Sequence, residues 1–133
     1  VSMAALAALG GCGGTAAPTA ESGLIAATLS VGGESGRGQV FFNGAGTCNA
    51  CHAVNSNQIV GPGLAGVMRP EGPQYQTTVS YGGNLPNGAA RTEENLAAWI
   101  RSGGQGEIGV MTPHEMSDAE MADLLAYLRT LLP

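Results

Sequence analysis

Apolar residues recur with helical period most clearly near the C-terminus, at Met121, Leu124, Leu125, Leu128, Leu131 and Leu132. Ser117 and Glu120 ahead of this run form a capping box, and Met116 and Met121 flank it at hydrophobic-staple spacing. A second helix is predicted in "TEENLAAWIRSGG", where Leu96, Trp99 and Ile100 share a face. Thr92 caps it, Glu93 and Glu94 occupy its first turn, Arg101 its last, and Gly103 stops it. "ESGRGQVFFNG" predicts a shorter helix, capped by Ser35 and ended by Gly44. No strand pattern competes, so the expected fold class is all-α.

Between these elements, "SNQIVGPGLAGVMRPEGPQYQTTVSYGGNLPNGAAR" is rich in Gly, Pro and Asn, with a turn at Leu85 to Gly88. A loop of this length in a small domain wraps a ligand or stays disordered. Residues 13–33 are rich in Gly, Ala, Thr and Ser and read as a flexible tether, with a short ordered piece at "GLIAATLSV". The domain proper is expected over 34–133, and no internal repeat is visible.

Composition sharpens this picture. The 133 residues include 22 glycines and only 5% aromatics, so the core is weak unless a bound cofactor fills it. The net charge is −5 and all five basic residues are arginine, with no cluster among them. Nucleic-acid binding is disfavoured, and the negative charge suits a basic partner. Residues 1–12 end in "LAALGGC", which resembles a bacterial lipoprotein signal in which Cys12 becomes the lipidated N-terminus. Lipid on Cys12, or an uncleaved leader, would associate the chain with a membrane.

The chemistry concentrates in "TCNACHAV", Thr47 to Val54. A redox dithiol of this spacing calls for a βαβ pattern, which is missing here. A structural zinc site needs four ligands, and Cys48, Cys51 and His52 offer three, of which adjacent Cys51 and His52 chelate poorly together. His114 would be the fourth. A disulfide across two residues would be strained. The remaining reading is one covalent haem c, for which Cys-x-x-Cys-His is the attachment pattern. Cys48 and Cys51 would form thioethers to it, and His52 would follow beneath the iron as the chain turns helically after Cys51.

With that motif in place, the chain resembles class I cytochrome c, the single-haem electron-transfer family, from about Gly36 to Leu132. "GRGQVFF" resembles the family's first helix, with Gly38 permitting a close crossing of the last helix beside Phe42 and Tyr127. "GPGLAGV" resembles its Gly-Pro-x-Leu-x-Gly segment. The resemblance implies that the Pro62 carbonyl accepts a bond from His52 Nδ1–H, which orients the imidazole, and that Leu64 packs on the ring. It also implies that the Trp99 indole N–H meets a haem propionate, Trp99 otherwise being a core aromatic. Tyr81, Tyr75 and Arg91 are further propionate candidates.

The family's second axial ligand is a methionine in the loop before the last helix, which implies Met111 in "GVMTPHEM". One departure is that Thr112 separates it from Pro113. Met3 lies in the leader, Met68 follows "GPGLAGV" too closely to reach the far face, and Met116 and Met121 belong to the staple. His114 is the rival ligand.

The implied function is one-electron transfer by an electron carrier rather than an enzyme, on its own or as a subunit of a larger oxidoreductase complex. Its partners would be redox proteins of a respiratory or photosynthetic chain. A covalent haem implies maturation outside the cytoplasm, so the expected location is extracytoplasmic, in the periplasm or on the outer face of the cytoplasmic membrane. The alternative is a haem enzyme or a gas- or peroxide-binding protein with an open or labile sixth position.

Overall fold

The first helix, α1 (Ser35–Asn43), is held at its N-terminus by a residue far away in sequence. The computed structural model describes residues 32–76 and 78–133. Within it Glu34 occupies the cap position of α1, and its own side chain makes no capping bond. Its backbone N–H donates instead to Asp123 Oδ1, 2.6 Å away on the last helix. Ser35 was expected to cap this helix but is its first residue, because a tertiary carboxylate takes over the capping role. Gly44 ends α1 as expected.

A short 3₁₀ turn at Cys48–Ala50 follows, then the long loop. Within that loop Gly88 donates to the Leu85 carbonyl at 2.9 Å, closing the expected turn and sinking Leu85 into the core. Helix α2 spans Glu93–Ser102, with Thr92 capping through a bond from the Asn95 N–H. Helix α3 spans Asp118–Leu128 and has the full Ser117–Glu120 capping box. The fold is a small all-α one, with three α-helices and little strand among the described residues.

Two features depart from the sequence pattern. The apolar repeat runs to Leu132, but the helix stops at Leu128 and Leu132 is 73% exposed. The Leu131 carbonyl accepts a bond from Gly66 N–H at 2.7 Å, so the last residues leave the helix to brace the loop. A two-residue hairpin, β1 (Gly104–Gln105) paired antiparallel with β2 (Val110–Met111), lies between α2 and α3. Strands this short show no period-2 signal.

The leader, Cys12, Met3 and "GLIAATLSV" lie outside the described residues. Among the described residues close packing begins at Gly33, where a Cβ would collide with the Ala122 carbonyl. Among the described residues no helix is long and apolar enough to cross a membrane.

The main packing contact is α1 on α3. Gly38 lies at their crossing: a Cβ there would collide with the Asp123 carbonyl and come within 2.8 Å of Tyr127 Cβ. One turn on, the rings of Phe42 and Tyr127 meet edge to face with centroids 5.5 Å apart. Beside the crossing, Asp123 accepts Arg37 Nε at 2.7 Å and Nη2 at 2.9 Å. It is 8% exposed. The Arg37 guanidinium holds its carboxyl below the usual carboxylate range, with the Glu34 N–H acting in the same direction.

A depressed carboxylate pKa contributes stability that is complete above the unfolded value, about 3.9, and is lost as pH falls through the folded value. Asp123→Asn is therefore expected to lower the denaturant midpoint at pH 7. The gap to the parent should narrow as pH falls below about 4, toward the folded Asp123 pKa. Urea titrations at pH 7, 4 and 3 check this. A gap that stays constant with pH would contradict the role given to the carboxylate.

Candidate cofactor cavity and axial residues

Thr47 opens the motif in the left-handed region, at φ 50°, the one described non-glycine residue with positive φ. From there Cys48 to Cys51 wind into the 3₁₀ turn, and the Cys48 carbonyl accepts both the Cys51 N–H at 3.2 Å and the His52 N–H at 2.9 Å. The helical turn thus lies between the cysteines and not after Cys51, as the sequence had suggested. His52 itself is extended and forms an isolated bridge with Gln58. No disulfide joins Cys48 and Cys51. Burial pushes the Cys48 thiol up, while Cys51 is exposed.

The chain after His52 folds back over the motif. The Cys51 carbonyl accepts the N–H groups of Val60 and Gly61, and Leu64 N–H donates to Ala53. This return brings the Pro62 carbonyl to 2.8 Å from His52 Nδ1. A carbonyl only accepts, so Nδ1 carries the proton and Nε2 keeps its lone pair. Burial lowers the imidazole pKa, the Pro62 bond opposes this, and His114 lowers it further. The ring is therefore neutral at pH 7, the form that ligates metals. Gly61 leaves no room beside it: a Cβ there would strike Cε1 and lie 2.9 Å from Nδ1.

Across the fold, α2 ends at Gly103 with φ +60°, where a Cβ would collide with the Met111 carbonyl. The close approach allows β1 to pair with β2, opposing Gly104 to Met111. The hairpin therefore fixes Met111, which is half-buried against the core.

A cavity of about 310 Å³ lies between these two walls, and its lining is mostly apolar. All ten residues expected from sequence to hold the cofactor line it: Cys48, Cys51, His52, Pro62, Leu64, Tyr75, Tyr81, Arg91, Trp99 and Met111. Of the four described methionines, Met68, Met116 and Met121 do not reach it. His114 does, with its N–H bonded to the Ile100 carbonyl at 3.2 Å. No three His, Cys, Asp or Glu side chains among the described residues converge as a metal-binding group, which leaves the zinc reading without a ligand set.

Arg91 gives the cavity its main polar feature. Its Nη1 donates to the Val67 carbonyl and its Nη2 to Asn84 and to the Tyr75 hydroxyl. Its Nε is buried with no partner. A buried guanidinium N–H without an acceptor fits an anionic group carried by the cavity's occupant. Tyr81 packs edge to face on Tyr75 at 5.3 Å, and its hydroxyl accepts the Glu107 N–H at 2.8 Å, which ties the long loop to the hairpin. A flat apolar group bearing carboxylates, bonded at the thiols, suits this set of donors and walls.

Sequence reasoning missed Gly61 and Gly103 as positioning residues. Each is a small residue next to a ligating candidate or at a helix end, and only the fold reveals the close approach. Leu85 was read as part of a turn but also forms part of the cavity wall.

The protein-family model described as Cytochrome c matches residues 35–132. No curated protein matches the chain.

Gly61→Ala is expected to push the His52 imidazole off its Pro62 bond and to cost about 1–3 kcal/mol through overpacking. The His52 Nδ1–H resonance in NMR spectra should shift or broaden by exchange. A resonance unchanged in position and width would show that the glycine is not what seats the ring.

Proposed function

The chain belongs to the cytochrome c family, and on that premise we propose that it is a membrane-tethered one-electron carrier on the extracytoplasmic side. It works with redox partner proteins of a respiratory or photosynthetic chain, as a tethered carrier or a subunit of a larger complex. The family carries a covalently attached c-type haem, and Cys48 and Cys51 stand at its attachment spacing. When bound, this group supplies Fe(III)/Fe(II) cycling.

In this reading Cys48 and Cys51 would hold the haem through thioethers, and His52 and Met111 would ligate its iron. The observation that carries it is the convergence of these four on one cavity, with Met111 the single described methionine to reach it. His52 presents Nε2 because Pro62 fixes its tautomer. The thioether of Met111 and the apolar walls favour the reduced state and raise the potential. Arg91 Nε, Tyr81 and Trp99 are the donors available to the propionates. No proton transfer or bond cleavage is asked of any side chain. Anchoring rests on the lipoprotein-like leader, through lipid on Cys12 or an uncleaved segment.

Met111→Ala should keep the haem but open the iron to carbon monoxide in the ferrous state and change the ferric spectrum. An unchanged ferric spectrum would reassign the axial position, with His114 the first candidate. Carbon monoxide binding to the parent protein would instead support the haem enzyme or sensor reading.

Tethering is tested by the intact mass of the protein from washed native membranes. The expected mass is the chain from Cys12 plus one haem plus acyl groups. Haem with Val1 retained would transfer the anchoring to the uncleaved leader. A mass lacking haem would overturn the whole assignment.

A further inference from the structure

We propose that the mouth of the cavity is a docking face for a protein partner presenting basic residues around an apolar centre. This rests on the electron-transfer reading above and specifies the chemistry of the partner.

Val60 and Val110 both line the cavity, yet they are 64% and 68% exposed, so they stand at its mouth from the two opposing walls. Ile59 and Val54, on the same loop as Val60, extend the exposed apolar surface. Covering such side chains removes apolar surface from water and is favourable.

The charges beside this surface carry one sign. Glu107 lies between the cavity-lining Gly106 and Ile108, and Glu115 follows the cavity-lining His114. Both are exposed, and neither takes part in an ion pair among the described residues. Positive charge is directed elsewhere. Arg37, Arg101 and Arg129 pair with Asp123, Asp118 and Glu93, and Arg91 is committed to interior acceptors. Arg69 does not line the cavity, and the chain has no lysine.

An apolar centre with a negative rim selects a partner with a positive rim, because like charges facing each other are costly and opposite ones steer the encounter. Two other occupants lack that complementarity. A second copy would bring the same glutamates, and residues 1–31 carry a single charged residue, Glu21.

The test follows oxidation of the ferrous holoprotein at low ionic strength by two probes of opposite charge. One is tris(phenanthroline)cobalt(III), a cation with apolar faces; the other is the anion hexacyanoferrate(III). One electron passes from Fe(II) to Co(III) or to the Fe(III) of the probe, and no bond forms or breaks. The double variant Glu107→Gln, Glu115→Gln is compared with Glu71→Gln, Glu94→Gln, which changes net charge equally at exposed positions whose chain neighbours do not line the cavity.

The first pair should slow the cobalt reaction by about fivefold, below the roughly 10–10³-fold effects of a whole surface field because only two charges are removed, and speed the hexacyanoferrate reaction. The control pair should change either by less than about twofold. Equal effects of the two pairs, or none, would overturn the docking face alone. A protein showing no ferrous–ferric change with either oxidant would overturn the haem reading and this face with it.

Discussion

The close crossing of α1 and α3 at Gly38 is the constraint on which the rest of the structure depends. With no Cβ at that position, the backbone of α1 comes up to the Asp123 carbonyl, and Phe42 and Tyr127 meet one turn beyond. The same place carries a carboxylate that caps α1 and binds Arg37 in fork geometry. Distance and direction are thus set by different forces: steric permission at the glycine sets how near the helices come, and the Asp123 bonds set their register. The consequence reaches the cavity directly, because Phe42 on one helix and Leu124 and Leu128 on the other form part of its wall.

The two ligating candidates are held by loops, and both loops depend on glycines of close approach. His52 sits between the Pro62 carbonyl and Gly61, and Met111 is set by a two-residue hairpin that needs the turn at Gly103. A loop is normally a poor place for a precisely placed group, since its backbone can move. Here the loops are tied down by several hydrogen bonds. Val60, Gly61 and Leu64 bond back to the motif segment, Gly66 bonds the C-terminal tail, and Tyr81 bonds the hairpin. Some of the glycines, which look destabilising from composition, mark places where backbone packs against a side chain of the site, as Gly61 does against His52 and Gly104 against Trp99.

Much of this was legible in the sequence, and for physical reasons. The Ser117–Glu120 capping box and the Thr92 cap are local devices, so they could be read within a few residues. The Cys-x-x-Cys-His spacing is likewise local, and the order of segments around it carried the family resemblance that the family match now supports. What could not be read was set by contacts distant in the chain. The cap of α1 comes from Asp123, nearly ninety positions away. The end of α3 is decided by a bond from Gly66 to Leu131, against an apolar repeat that continues to Leu132. The place of the helical turn within the motif, between the cysteines, follows from the left-handed Thr47, which no propensity for threonine would suggest.

The hydrophobic core and the cavity wall are largely the same residues. Leu85, Leu96, Trp99, Ile100, Leu124 and Leu128 are buried core and also line the cavity. A chain with few aromatics and 22 glycines has little other apolar bulk to commit. The family's covalent haem therefore acts as the central piece of the core as well as the redox centre, and binding and folding stabilise the same contacts. It follows that the large residues shared by core and cavity are not neutral toward the site. Shortening Leu85 or Leu124 would loosen the packing around the haem and admit water to it at once. In this family member the stability of the core and the shape of the site draw on one set of side chains.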